Sequence, residues 1–373
     1  MKAEDFIAEL KNNSITSFYG VPDSLLKNVC AYITDTVDSK HNIITANEGN
    51  AIALACGYYL ATEKIATVYM QNSGLGNCVN PLLSLSDEDV YNIPFLMLVG
   101  WRGEPGIKDE PQHVKQGKIT DALLDTMGVK YSILPQTIEE TVVALKDAID
   151  YMQKTKKPYA FLIKKDTFEN YALKTKRTTD YELSREEAIS IVTGQLQAKD
   201  IVVSTTGQIS RELYEIRENN NQSHQSDFLT VGSMGHASSI ALGIAIEKPS
   251  RMVYCFDGDG AFLMHMGALP VIAAQNVQNL KHIVFNNEAH DSVGGQPTCA
   301  NGIRMTDIAE NSGYKKAFSV KTKEELEKIL PQFIALEGMA LLEIKVACGS
   351  RKDLGRPKEK PVENKNSFME FLR

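Results

Sequence analysis

The chain has 373 residues, 43% of them hydrophobic and 23% charged, and a formal net charge of −7. That is enough apolar material for two α/β domains of ordinary size, and the acidic balance argues against nucleic acid or an anionic membrane as the main partner. There is no apolar run of about 18 residues and no signal-peptide core at the start, and the six cysteines are scattered without zinc or Cys-x-x-Cys spacing, so a cytoplasmic protein with reduced thiols is expected.

Short apolar runs alternate with helical patterns from the first residues. Residues 17–20, 43–46, 66–71, 94–100 and 159–164 read as buried strands, which predicts one parallel, doubly wound sheet over residues 1–165. Glu48 falls at a strand-to-helix junction, ahead of a small-residue helix over 51–61. In a first helical turn a Glu ordinarily serves the dipole or the cap. The turn Gln71-Asn72-Ser73-Gly74-Leu75-Gly76-Asn77 is glycine-rich, but it has neither the Lys-Ser/Thr of a P-loop nor a Gly-x-Gly-x-x-Gly pattern. Between residues 101 and 118 lie Arg102, Lys108, His113, Lys115 and Lys118. So many cations in one loop of an acidic protein suit a polyanionic substrate, while Glu104, Asp109 and Glu110 in the same loop suit a solvated surface that cancels its own charge.

Residues 166–183 lose the apolar signal and read as a linker. Ser184-Arg185-Glu186-Glu187 then carries the Ser-x-x-Glu pattern of a capping box. The alternation restarts with strands at 201–205, 228–231, 252–256, 281–285 and 340–346, which makes residues 184–373 a second domain of the same kind. Thr205-Thr206-Gly207-Gln208 and Gly232-Ser233-Met234-Gly235-His236-Ala237 each follow a strand, where backbone N–H groups and a helix N-terminus can hold phosphate and glycine lets the backbone come close. Gly258-Asp259-Gly260 closes one apolar run and Asn286-Asn287 closes the next, which puts Asp259 and Asn287 28 positions apart (287 minus 259). Two strand ends bearing oxygen ligands predict a Mg²⁺ site, since that ion is held by one or two protein groups together with phosphate oxygens.

This Gly-Asp-Gly and Asn-Asn pair resembles the fingerprint of thiamine diphosphate enzymes. The resemblance implies thiamine diphosphate and Mg²⁺ as cofactors, a pyrimidine-binding domain over 1–165 and a diphosphate-binding domain over 184–373. It implies that Glu48 hydrogen-bonds the aminopyrimidine ring, that Gly207, Gly232, Ser233, Gly258 and Gly260 border the cofactor, and that Met234 wedges between its two rings. Ala289 stands where the family commonly has glycine, and its backbone carbonyl would join Asp259 and Asn287 on the metal. The turn at 71–77 would border the pyrimidine and the substrate.

Residues 19–24, 101–118, 286–298 and 348–357 resemble the phosphonopyruvate decarboxylase family. That likeness implies non-oxidative decarboxylation of a small-molecule substrate, 3-phosphonopyruvate, to phosphonoacetaldehyde and CO₂. Asp23 resembles the acidic residue placed above the thiazolium, and His113 and His290 become candidate proton-transfer groups, each with a hydrogen-bonded structural histidine as the competing reading. Arg102, Lys108 and Arg351, with Lys352 and Arg356, are candidates to hold the phosphonate, against a solvated tail for the last three. A homodimer or higher homo-oligomer is implied. Sulfopyruvate decarboxylation is the nearest rival, disfavoured by the single fused chain. A thiamine diphosphate oxidoreductase or carboligase is disfavoured, since no Cys cluster supports an iron–sulfur centre and no third domain supports a flavin or nucleotide, and a non-catalytic module would not need Glu48, Asp259 and Asn287.

Overall fold

The computed structural model describes residues 1–373 as two units, Met1–Lys176 with Val293–Gln296, and Arg177–Ser292 with Pro297–Arg373. The first unit is built on strands β1 (Phe18–Gly20), β2 (Asn42–Ile44), β3 (Thr67–Gln71), β4 (Leu96–Gly100), β5 (Lys130–Ile133) and β6 (Tyr159–Ile163). They form one parallel sheet in the order β2-β1-β3-β4-β6-β5. Parallel strands need helical crossovers that cover both faces, so the central ones are apolar throughout, as in Leu96-Met97-Leu98-Val99-Gly100. One face packs on helices Ala3–Asn12, Lys27–Thr36 and Ile138–Thr155 through Phe6, Leu10, Val29, Ile33 and Leu145. Helices Glu48–Thr62, Leu75–Pro81 and Pro111–Thr126 cover the other through Ala51, Ala55, Leu75, Cys78 and Leu124.

The second unit repeats the plan with β7 (Ile201–Ser204), β8 (Asp227–Leu229), β9 (Val253–Gly258), β10 (Leu280–Asn286), β11 (Lys316–Val320) and β12 (Ala340–Lys345). All pair in parallel, in the order β11-β12-β10-β9-β7-β8. Helices Arg185–Thr193, Gln208–Asn219 and Lys323–Ala335 cover one face, and Ala237–Glu247, Asp259–Met264, Met305–Asn311 and Pro361–Leu372 the other. The expected doubly wound parallel sheets are therefore both present.

Two strands lie outside the sequence expectation. β5 and β11 each end a sheet and keep exposed or half-buried positions, so neither forms the continuous apolar run that marks a central strand. The helix after β2 starts at Glu48, and the capping box at Ser184 and Glu187 forms, with Ser184 Oγ accepting from the Glu187 N–H at 3.2 Å and the Ser184 N–H donating to Glu187 Oε2 at 2.9 Å.

Neighbouring strands whose following helices go to opposite faces leave a crevice beyond their carboxyl ends, where ligands bind in open α/β sheets. In the first unit β1 and β3 are such a pair, and in the second β7 and β9. No helix is long and apolar enough to cross a membrane.

Candidate functional site

In the first unit the candidate groups gather at the carboxyl ends of β1, β3 and β4. Asn47 caps the helix Glu48–Thr62 by accepting from the Asn50 N–H at 3.0 Å, which leaves the Glu48 side chain free of the capping role. Glu48 is buried, with no Lys or Arg paired to it, and its Oε2 accepts from Asn77 Nδ2 at 2.7 Å. The glycine-rich turn makes room for this carboxylate, since a Cβ on Gly74 would lie 2.4 Å from Glu48 Oε1.

Asp23 is fully buried beyond β1 and accepts from the Leu25 N–H at 2.9 Å and from Gln71 Nε2 at 2.6 Å. Ser73 Oγ donates to Gln71 Oε1 at 2.8 Å, so the turn after β3 orients the group that grips Asp23. Arg102, just past β4, makes a two-pronged pair with Asp109, Nε to Oδ2 at 2.8 Å and NH2 to Oδ1 at 2.5 Å, and NH1 donates to Ser24 Oγ at 2.7 Å. The charge cancellation weighed from the sequence thus applies to Arg102, and to Lys164, which meets Glu104 at 2.6 Å. Three of the five guanidinium N–H groups of Arg102 are used and two remain. Lys108, Lys115 and Lys118 stay exposed, outside this network.

His113 is in the first turn of Pro111–Thr126, and its Nδ1 is buried with no hydrogen-bond partner. Burial, reinforced by the charge of Arg102, lowers its imidazole below the usual range, against the opposing pull of Asp109 and Asp23. Asp23, Arg102, Asp109 and His113 therefore share one electrostatic neighbourhood. Gln71 lies in the turn read from the sequence as bordering the substrate, and Asp109 was weighed in its own loop as a charge-cancelling neighbour; the grip of Gln71 on Asp23 had no sequence signal, because side-chain pairing across separate loops leaves no periodic trace.

In the second unit, strand pairing sets Phe285 beside Gly258, so the residues that follow β9 and β10 emerge together. Asp259 opens the helix Asp259–Met264 and is buried, with no cationic partner. Thr298 Oγ1 donates to its Oδ2 at 2.5 Å. Burial pushes its carboxyl up to about 7, against that hydrogen bond and with a further upward push from Asp291. Asn287 gives its Nδ2 to Asp291 Oδ2 at 2.5 Å, which fixes the amide, and its Oδ1 accepts from the Ala289 N–H at 3.2 Å. Asp291 also accepts from the Gly349 N–H at 2.8 Å, and its place in the corner had no signal in the sequence.

The glycines at this corner answer to close approach. A Cβ on Gly260 would come within 3.1 Å of both Met234 Cε and His290 Cε1, so Met234 and His290 meet over Gly260. Gly207 precedes the helix Gln208–Asn219 with φ 99° and ψ −138°, a conformation in which a side chain is strained, and Ser233 has φ 52° between Gly232 and Met234. Thr205 Oγ1, at the end of β7, is buried with no partner. His290 is neutral at ordinary pH, because burial pushes its imidazole down to about 4. Directly beneath, Cys255, Asp257 and His282 form a buried group with polar atoms within 4.8 Å of one another; His282 is held at 3.3 Å by Asp257 on one nitrogen and at 3.3 Å by the Tyr314 hydroxyl on the other, as a satisfied core histidine.

Arg351, expected beside a phosphonate, is drawn into carboxylates instead. It bonds Glu186 at 3.0 Å, lies 3.2 Å from Asp353, and makes a close ion pair with Glu215. Surrounded by three acids, it offers an anion no net attraction. Lys352 is exposed.

The Asp259 carboxylate, the Asn287 amide oxygen and the Ala289 carbonyl are all hard oxygen donors, the chemistry that suits Mg²⁺, and these residues would hold that ion together with phosphate oxygens. The unpartnered Thr205 hydroxyl and Gly207, which takes a conformation open to glycine, stand ahead of the helix Gln208–Asn219, whose N-terminus suits a diphosphate.

Residues 1–125 match the N-terminal TPP-binding domain of thiamine pyrophosphate enzymes, and residues 205–344 match the C-terminal TPP-binding domain. The chain belongs to the thiamine pyrophosphate enzyme family. Over 385 residues it is 33% identical to the phosphonopyruvate decarboxylase of Streptomyces viridochromogenes, covering 99% of this chain and 94% of that one. The phosphonopyruvate decarboxylase of Streptomyces hygroscopicus is 32% identical, over 100% of this chain and 94% of its own. The sulfopyruvate decarboxylase of Methanosarcina acetivorans is 28% identical, over 99% of this chain and 97% of its own. Because that protein spans both units in one chain, fusion does not distinguish the phosphonate from the sulfonate reading.

The raised pKa of Asp259 has a signed consequence. Its unfolded value is about 3.9, so between roughly pH 4 and pH 7 the folded, metal-free protein binds a proton that the unfolded chain has lost, and stability falls as pH rises through that window. Asp259→Asn is expected to raise the thermal midpoint of metal-free protein at pH 8 and to leave it nearly unchanged at pH 4, as thermal unfolding at the two pH values will show.

Proposed function

We propose that this protein is a thiamine diphosphate- and Mg²⁺-dependent carboxy-lyase that converts 3-phosphonopyruvate to phosphonoacetaldehyde and CO₂ in the cytoplasm. The observation that carries the reading is the buried, cation-free Asp259 at the carboxyl end of β9, in a chain similar along its whole length to two phosphonopyruvate decarboxylases. When bound, the cofactor supplies an electron sink for the pair left behind as the carboxylate departs as CO₂.

The residues divide the remaining work. Asp259, Asn287 and the Ala289 carbonyl hold Mg²⁺. Gly207, Gly232, Ser233, Gly258 and Gly260 let the backbone approach the diphosphate, and Met234 supports the cofactor. Glu48, buried against Gly74 and oriented by Asn77, exchanges a proton with the aminopyrimidine ring. Asp23 and His113 hold or move the proton on the substrate side, and His290, kept neutral by burial, accepts one and does not carry a resting positive charge. The two unused N–H groups of Arg102, fixed in direction by Asp109, together with exposed Lys108 receive the phosphonate.

At least a homodimer is part of this reading. Helices Glu48–Thr62 and Ala237–Glu247 are apolar on nearly every side yet leave Leu54, Leu60 and Ile246 exposed, Leu60 at 73%, and a helix of that composition is ordinarily covered.

The sulfonate reading keeps support from the relative that is 28% identical over 99% of the chain. CO₂ release from 3-phosphonopyruvate, 3-sulfopyruvate and pyruvate in parallel is expected to favour the phosphonate and to require both cofactors; preference for the sulfonate would overturn the substrate assignment, and no release from any would overturn the activity. Glu48→Gln is expected to keep cofactor affinity while turnover falls roughly a hundredfold or more, and full turnover in steady-state assays would remove Glu48 from the mechanism.

A further inference from the structure

Two of the three groups assigned to Mg²⁺, the Asn287 side chain and the Ala289 carbonyl, flank a single residue in the left-handed region. Glu288 has φ 61°, a conformation that costs a non-glycine residue about 1–3 kcal/mol and persists only where the surroundings over-determine it. The side chain shows what does so. Glu288 is 1% exposed, and its Oε2 accepts from Arg177 Nε at 2.8 Å and from the NH2 group of the same residue. Its Oε1 accepts from the Tyr181 hydroxyl at 2.8 Å and lies 3.5 Å from Lys345 Nζ. Below the turn, the Glu288 N–H donates to Asn286 Oδ1 at 3.0 Å, and Asn286 Nδ2 donates to Glu343 Oε1 at 2.7 Å.

The Tyr181 hydroxyl is pushed up to about 12, first by burial and then by Glu288. The contact is a carboxylate gripped by a guanidinium on one oxygen and a phenol on the other. Both donors come from residues 166–183, the stretch read from the sequence as a mere linker.

We propose that Arg177 and Tyr181 are positioning residues for the metal corner: by clamping Glu288 they fix the turn that presents Asn287 and Ala289 to Mg²⁺. Neither touches the metal or the substrate. The inference rests on the reading that Asp259 and Asn287 hold Mg²⁺. Partners one step beyond a metal's ligands typically change its affinity by about 10–100-fold.

The test is calorimetric titration of Mg²⁺ into full-length, metal-free protein with saturating thiamine diphosphate, with the thermal midpoint of each variant measured alongside. Arg177→Ala and Tyr181→Phe are expected to raise the Mg²⁺ Kd by about 10–100-fold, with Arg177→Lys recovering part of the loss. Glu288→Gly is the sharper variant. Glycine takes the left-handed turn without strain, so if the turn needed only its backbone shape, affinity would hold; the clamp requires it to fall. Unchanged Mg²⁺ affinity in Tyr181→Phe and Arg177→Ala, whether or not the thermal midpoint drops, overturns the proposal and leaves a structural role. Wild-type affinity in Asp259→Ala would overturn the metal assignment itself, and this inference with it.

Discussion

The structure turns on Asp259, a carboxylate that the protein buries without a Lys or Arg partner. Asp259 leaves the end of β9 with a threonine hydroxyl for company and no Lys or Arg, and its pKa near 7 measures what that isolation costs. Some buried acids in the same unit are paired with arginine, Glu212 with Arg185 and Asp227 with Arg217, while Asp200, like Asp259, has no Lys or Arg partner. A buried carboxylate with no internal cation leaves its charge available to a divalent ion, which is the role proposed for Asp259. Parallel pairing of β9 with β10 then sets the Asn287 turn beside that carboxylate, and the opposed helices after β7 and β9 open the crevice in front of it.

Charge is handled differently in the two units. The first carries Glu48 and Asp23 as buried, cation-free acids, fixed by neutral amide partners, Asn77 and Gln71. Amide donors orient a carboxylate without adding a formal charge to it. Arg102 sits close by, yet Asp109 takes one edge of its guanidinium, which sets its direction as well as lowering its net charge. Arg351 is at the opposite limit, with three carboxylates and nothing left for a ligand. The same residue type is therefore a credible anion contact in one place and a tether for the C-terminal segment in the other.

The sequence showed most clearly what is periodic or adjacent. Strands such as β4 and β6 are buried on both faces and read as unbroken apolar runs, whereas β5 and β11 lie at sheet edges, where exposed positions interrupt the pattern. Asp259 and Asn287 were legible because each closes an apolar strand run, β9 and β10, with two short helices between them. Other contacts were not: Asp291 under Asn287, Gln71 on Asp23, and Glu186 and Glu215 on Arg351 are set by tertiary packing. Residues 166–183 are the instructive case, since a polar composition with no apolar period describes a linker and also describes Arg177 and Tyr181 reaching a buried Glu288.

The central claim is that Asp259 awaits a divalent cation that binds together with thiamine diphosphate. Isothermal titration of thiamine diphosphate into the full-length protein at pH 6, with Mg²⁺ and then with chelator, in buffers of different ionisation enthalpy, tests it most directly. The account predicts tight binding only with the metal and release of a proton on binding, because the carboxyl that holds one near pH 7 must give it up to the ion. Equally tight binding in chelator, with no proton released, would contradict it.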